Sequence, residues 1–276
     1  RYFMKYTRVS FIGCGNMGLS LIGGLIANGH EPSAIRGADP NPVKRQAIAD
    51  RFGIELYADN VEAIIDSEVI VLAVKPQMMA ETLSQLASHI SQAQLLISIA
   101  AGIRLDTLGR MLGDGQPVVR VMPNTPALIS AGASALYANS SASPAQKDLA
   151  EGIMRAVGLA VWLDSEAAMD TVTALSGSGP AYFFLVMEVM EKAAIRLGLP
   201  ANQARLLTLE TAFGAAKMAL ESGVDAATLR RQVTSPGGTT EQALKVLMEQ
   251  GDIEQVFLDA LAAAKNRSEE LALSLD

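Results

Sequence analysis

The chain is poor in the residues that acid–base and metal chemistry draw on. Its 276 residues include one cysteine, Cys14, and two histidines, which excludes an internal disulfide and supplies no histidine–cysteine cluster for a metal. The lone thiol fits a reducing, cytoplasmic compartment, and Cys14 reads as a small residue packed in a tight turn. His30 stands at a helix-end turn and His89 at the end of a polar helix face, and neither context is catalytic. Charged residues make up only 18% of the chain and the net charge is −7, with no basic run, so nucleic acid finds no electrostatic footprint. Half the residues are hydrophobic, yet no uninterrupted apolar run approaches the roughly 20 residues of a bilayer helix. The surplus apolar surface is therefore expected in a large subunit interface. No repeat, low-complexity tract or secretory signal is visible, and Arg1-Tyr2-Phe3 ahead of Met4 reads as a vector-derived remnant, with Met4 the natural start.

What is present divides in two. The first part alternates strand and helix, with strands expected at 8–12, 35–38, 54–56, 69–74, 95–99 and 118–121 and helices at 42–52 and 78–90. Val69-Ile70-Val71-Leu72-Ala73-Val74 is apolar on both faces, as a parallel strand covered by helices must be. The alternation implies an α/β, doubly wound sheet. Shorter strands near 134–137 and 159–163 extend it around a helix that follows Pro144. Beyond Asp164 the chain is rich in Ala, Leu, Met and Glu with helical periodicity, and helices are expected at 168–175, 180–197, 201–222, 226–233, 239–250 and 253–273. Helices that are apolar on more than one face must bury against something besides each other. The expected division is residues 4–164, a dinucleotide-binding domain, and 165–276, an all-α dimerisation and substrate-binding domain.

Val9-Ser10-Phe11-Ile12 runs straight into Gly13-Cys14-Gly15-Asn16-Met17-Gly18 and then into an amphipathic segment. This is a Gly-x-Gly-x-x-Gly fingerprint in its proper strand-to-helix setting. Gly13 allows the turn, Gly15 lets backbone approach a pyrophosphate, Gly18 lets helix and strand pack, and the amides of Asn16 and Met17 face the phosphates. Asp39 lies 21 residues beyond Gly18, where a carboxylate accepts from a ribose diol and repels a 2′-phosphate, which favours NADH. Asn41, Lys44 and Arg45 nearby could instead hold such a phosphate, and Asp39-Pro40-Asn41-Pro42 also reads as a turn and helix cap. Three segments follow strand ends, the edge where open α/β sheets bind ligands: Ala73-Val74-Lys75-Pro76, Ala100-Ala101-Gly102 and Met122-Pro123-Asn124-Thr125-Pro126. Lys75 is a candidate general acid, although a lysine beside proline more often serves charge or packing. Two glycine-rich turns, Ser176-Gly177-Ser178-Gly179-Pro180 and Ser235-Pro236-Gly237-Gly238-Thr239-Thr240, each read as opening a helix with free amides, an anion site or an ordinary cap. With no strong acid or base in view, the chemistry best suited is hydride addition to an already protonated imine, because the substrate brings its own proton.

Taken together, 11–18, 73–76, 98–102, 122–126, 175–182, Ala216-Lys217-Met218 and 235–240 resemble the pyrroline-5-carboxylate reductases, over nearly the whole chain. The resemblance implies an N-terminal Rossmann domain followed by an all-α dimerisation domain, with homodimers often assembled into decamers. It implies reduction of pyrroline-5-carboxylate to L-proline by NADPH or NADH, the last step of proline synthesis. It implies that amides of the turn bearing Gly237, Gly238, Thr239 and Thr240 hold the substrate carboxylate, that the Thr240 hydroxyl meets the ring nitrogen as the catalytic contact, and that Ser176 lies nearby. It places Asn60 near the cofactor ribose and Asn124 with the cofactor loops. The family commonly has serine or threonine where this chain has Asp39, a departure that bears on cofactor choice. A β-hydroxyacid dehydrogenase is similar in outline but needs a lysine and an asparagine where this chain has Phe183 and Met187. A non-catalytic NAD(P)-binding redox sensor would leave the 235–240 turn without a purpose.

Overall fold

The computed structural model describes residues 3 to 275; Arg1 and Tyr2, read above as part of a leading remnant, lie outside them. The chain forms two compact units, residues 1–178 with 264–276, and residues 179–263.

The first unit is built on eight strands: β1 (Val9–Ile12), β2 (Ile35–Ala38), β3 (Glu55–Tyr57), β4 (Val69–Leu72), β5 (Leu95–Ser98), β6 (Val118–Met122), β7 (Gly132–Ala138) and β8 (Gly158–Trp162). Their order is β3-β2-β1-β4-β5-β6-β7-β8. All neighbours run parallel except β6 and β7. The order reverses between β1 and β4, the switch point at which such sheets open a crevice. Period-two alternation sends Val9, Phe11, Val69, Val71, Ile97, Val119 and Val121 to one face, against α1 (Asn16–Ala27), α2 (Pro42–Phe52) and α6 (Pro144–Arg155). Ile12, Ile70, Leu72, Leu96 and Val118 go to the other, against α3 (Asn60–Ile64), α4 (Met79–Leu86) and α5 (Leu105–Leu112). The doubly wound sheet expected from the alternating pattern is therefore observed. Ser10 is buried on the second face and meets the Ala63 carbonyl and the Ser67 hydroxyl, each at 2.6 Å, so its polarity is satisfied.

Local differences from expectation have local causes. β4 stops at Leu72, and Ala73 and Val74 leave the strand to form the crevice edge. The helix expected over 78–90 is α4 flanked by 3-10 turns, the first opened by Pro76. The glycine-rich segment around Ser176 opens a helix at Gly179, but it reaches that helix through a helical turn of its own. After α7 (Ala168–Val172) it forms a π-helical turn, Thr173–Gly177, in which the Ser178 amide donates to Thr173 O at 2.8 Å. Only Ser178 separates that turn from α8 (Gly179–Arg196).

The second unit holds α8, α9 (Ala201–Glu221), α10 (Ala226–Gln232), α11 (Thr239–Lys245) with a π turn at Val246–Gln250, and the start of α12 (Ile253–Leu275). α8 and α9 are joined through Gly198 and Pro200, and α9 buries only Ala204 and Thr208. Phe183, Phe184, Leu185, Leu206, Leu207 and Phe213 are all more than half exposed. By length and composition alone the helical run 168–196 would also pass as a bilayer span, although Glu188, Glu191 and Lys192 lie along it.

His30 is buried in the first unit, and its Nε2 meets the Thr7 carbonyl at 2.9 Å. Burial pushes its pKa below the ordinary 6.5. The native state thus keeps His30 neutral where the unfolded chain takes up a proton, so stability falls as pH drops through 6.5 toward the native value and is unaffected above it. Thermal unfolding followed from about pH 7.5 to about pH 5.5 should show a steeper loss in the parent than in His30→Gln. Equal slopes would remove His30 from the acid sensitivity.

Candidate functional site

The crevice edge is assembled from glycines whose missing side chains have different consequences. Gly13 has φ 92°, and a Cβ there would lie 2.9 Å from the backbone carbon and oxygen of Ala73. A Cβ on Gly18 would lie 2.8 Å from the Gly13 carbonyl oxygen. Both contacts are closer than carbon side chains allow, so strand end and helix pack through bare backbone. Gly15 differs: a Cβ there would meet nothing within 4 Å. Gly15 caps α1 with no side-chain hydrogen bond, and no acidic residue stands in the first turn. The amides of Asn16, Met17 and Gly18 have no intrahelical acceptor and stand at the positive end of the helix dipole. That combination fits a dinucleotide pyrophosphate.

The neighbouring strand ends close around this point. Ala73 N donates to Ile12 O at 2.8 Å, and Gly13 N donates to Ala38 O at 3.1 Å. Cys14 is buried with Sγ 3.6 Å from Ala38 O; burial first, then the Asp39 charge, pushes its thiol up to about 11, which suits packing and not nucleophilic work. Lys75 is exposed ahead of Pro76, and Ala100 and Gly102 are buried on either side of exposed Ala101. The Asn60 amide donates to Gln85 Oε1 at 3.2 Å at the start of α3.

Asp39 is buried and already engaged. Its carboxylate accepts from the Asn41 amide at 3.1 Å and pairs with the Lys44 ammonium. Asn41 caps α2 through the Lys44 amide, and Arg45 donates to the carbonyls of Asp39 and Pro40 at 2.8 and 3.0 Å. The turn-and-cap reading of this segment therefore holds. Lys44 pairs with the carboxylate and Arg45 holds the main-chain carbonyls beside it, so positive charge stands next to the Asp39 side chain.

Asn124 is buried with both ends of its amide spent inside the protein. Nδ2 donates to Ser176 O at 3.0 Å, and Oδ1 accepts from the Ala133 amide at 2.9 Å. The Ser176 hydroxyl itself donates to Val172 O at 3.2 Å.

The second glycine-rich turn lies in the helical unit. Gly237 has φ 72°, its amide donates to Glu241 Oε2 at 3.0 Å, and the Gly238 amide donates to Ser235 O at 3.0 Å. Those two donors are committed to the turn and its cap. The amides of Thr239 and Thr240 open α11, where helix geometry gives them no intrahelical acceptor. The Thr240 side chain is half-buried beside them.

An ion pair outside every sequence motif joins β6 to the segment before α7: Arg120, 3% exposed, donates to Glu166 Oε1 at 2.8 Å, and the same oxygen accepts the Leu105 amide at 2.8 Å. The signal was there, an arginine in the middle of the apolar strand Val118-Val119-Arg120-Val121-Met122. Asp170 accepts from the Ser268 hydroxyl at 2.7 Å, another buried tie that no motif announces.

Comparison with known proteins places this geometry in context. A family model described as pyrroline-5-carboxylate reductase dimerisation matches residues 166–271, and one described as NADP oxidoreductase, coenzyme F420-dependent, matches residues 8–102. A pyrroline-5-carboxylate reductase of Pseudomonas aeruginosa is 52% identical, over 99% of both chains. A structure of the reductase from Coxiella burnetii superposes with a TM-score of 0.93 at 44% identity, covering 96% of this chain and 98% of that one. A Plasmodium falciparum pyrroline carboxylate reductase with NADP bound gives a TM-score of 0.86 at 28% identity, covering 98% and 99%.

The contrast between the glycines supplies a test. Gly15→Val should leave Tm close to the parent's, because its side chain enters open space, yet weaken cofactor binding by about tenfold or more, roughly 1.4 kcal/mol. Fluorescence titration with NADPH checks it; parental affinity would place the pyrophosphate elsewhere.

Proposed function

The chain belongs to the pyrroline-5-carboxylate reductase family, and we propose a division of its labour between a cofactor edge and a substrate turn. The reaction is reduction of pyrroline-5-carboxylate to L-proline by NADPH or NADH. The observation that carries this reading is the uncapped, acid-free start of α1 beside the open face of Gly15. The functional division is drawn after Asp164: residues 4–164 hold the cofactor and 165–276 hold substrate and dimerise, in keeping with the family match over 166–271.

When bound, the reduced nicotinamide supplies a hydride for the C=N carbon of the substrate. The chain's own residues bind and orient. Gly13, Gly15, Asn16, Met17 and Gly18 hold the pyrophosphate; Asp39 and Asn60 address the adenosine side; Ala73, Val74, Lys75, Pro76, Ala100, Ala101, Gly102 and Asn124 form the strand-end wall. The substrate carboxylate lies on the turn of Gly237, Gly238, Thr239 and Thr240, with the two threonine amides as its free donors and Gly237 and Gly238 shaping the loop. The Thr240 hydroxyl accepts from the protonated ring nitrogen, with Ser176 on the substrate side. No strong acid is required. His30 is tied to Thr7, at the strand edge opposite Gly13, and His89 is exposed beyond α4. Acceleration rests on orientation and electrostatics.

The functional unit is a homodimer, assembled further into decamers. Covering Phe183, Phe184, Leu185, Leu206, Leu207 and Phe213 alone contributes about 1–2 kcal/mol each, part of the full-burial figure, and a symmetric dimer does so twice. The sum, about 12–24 kcal/mol, matches or outweighs an association cost on the order of 4–15 kcal/mol. The same burial accounts for the apolar run 168–196 without a bilayer. A cytoplasmic site fits the single thiol, and the acidic balance offers nucleic acid nothing.

Purified protein mixed with pyrroline-5-carboxylate should consume NADPH or NADH absorbance, whereas turnover of a 2-hydroxy acid with the oxidised cofactor would mark a dehydrogenase instead. Thr240→Ala should lower kcat/KM roughly 10- to 100-fold, the loss of one well-placed hydrogen bond. Unchanged kinetics would remove Thr240 from the mechanism. Asp39→Ser releases Lys44 for a 2′-phosphate, so the NADPH/NADH ratio of kcat/KM should rise about tenfold. An unmoved ratio would show that Asp39 does not govern the choice.

A further inference from the structure

Three alternate residues of β6 and its extension, Arg120, Met122 and Asn124, lie on one side of an extended chain, as period two requires. Each meets the same segment, which runs from Glu166 through α7 and the π turn. Arg120 pairs with Glu166 at 2.8 Å. A Cβ on Gly177 would lie 2.5 Å from Met122 Cε, so the π turn sits directly on that side chain. Asn124 donates to the Ser176 carbonyl at 3.0 Å. The segment is therefore fastened at its start, at Ser176 and at Gly177.

Glu166 has a second attachment. Its Oε1 also accepts the Leu105 amide at 2.8 Å, at the end of the loop that leaves β5 and carries Ala100, Ala101 and Gly102. One carboxylate oxygen thus joins the strand-end loop of the cofactor wall, the buried Arg120 and the start of the segment that bears Ser176. No motif contains it.

We propose that Glu166 is a positioning residue, which through Arg120 and the Leu105 amide holds the Ala100-Ala101-Gly102 loop and Ser176 in fixed relation. The inference rests on the proposed reading that this loop forms part of the cofactor wall and that Ser176 lies on the substrate side. Its consequence is kinetic: loosening the clamp displaces donor and acceptor while the pyrophosphate grip at α1 is untouched. Displacement of reacting atoms by about 1 Å can cost two orders of magnitude in rate.

The test uses the full-length protein in its native assembly. Glu166→Ala should lower kcat about 10- to 100-fold while changing the NADPH dissociation constant less than about threefold. Glu166→Gln keeps an oxygen acceptor for the Leu105 amide but leaves the Arg120 charge uncompensated. It should lower Tm as Glu166→Ala does and yet keep kcat within about threefold of the parent. A merely structural role predicts instead that kcat of the folded enzyme stays parental in both variants, or that kcat follows Tm in both, and either result overturns the proposal. Should Glu166→Ala fail to fold, Glu166→Asp takes its place: a reduced kcat at near-parental Tm supports the clamp and a parental kcat overturns it. Ser176→Ala examines the underlying reading separately, since parental kinetics there would overturn the substrate-side assignment of Ser176 whatever the Glu166 variants do.

Discussion

Where the strand order turns round, the backbone of Gly13 lies so close to Ala73 that a side chain would come within 2.9 Å of it, and the cofactor edge depends on that approach. With the two main chains in contact, α1 begins at the crevice, where its first amides have no intrahelical acceptor. Gly18 repeats the constraint one turn later against Gly13. The parallel strands on either side, apolar on both faces, hold the register that makes the approach possible. Helix dipole, open space at Gly15 and the absence of a capping side chain then act on the same point.

A site of this kind does little proton chemistry, and the distribution of polar side chains agrees. The carboxylates near the crevice are committed: Asp39 to Lys44 and the Asn41 amide, Glu166 to Arg120 and the Leu105 amide. Removing Glu166 from its pair with the buried Arg120 costs about 3–5 kcal/mol because the arginine charge is left behind. These groups serve geometry, and the chemistry falls to amides, hydroxyls and the substrate's own charge.

The helical unit follows another rule. α8 and α9 carry apolar residues on more faces than their mutual packing uses, so their large side chains remain exposed in the single chain. A homo-oligomer is the state in which that surface is covered, consistent with the dimerisation family matched over these residues. The glycine-rich turn at 235–240 belongs to this same unit.

Several features were legible without coordinates. Alternation of apolar strands and helices determined the doubly wound sheet, because a strand buried on both faces reads as a nearly continuous apolar run, as Val69-Ile70-Val71-Leu72 does. The fingerprint at Gly13, Gly15 and Gly18 and the helical periodicity beyond Asp164 were local patterns, and local patterns survive in one dimension. Tertiary structure decided what depends on residues far apart in the chain. Arg120 finds Glu166 across 46 positions and Asn124 finds Ser176 across 52, distances at which a sequence carries no pairing signal. It also put a π turn lying on Met122 directly ahead of the helix that starts at Gly179. Propensity alone favours a break at two glycines, whereas packing against the end of β6 sustains the helical path.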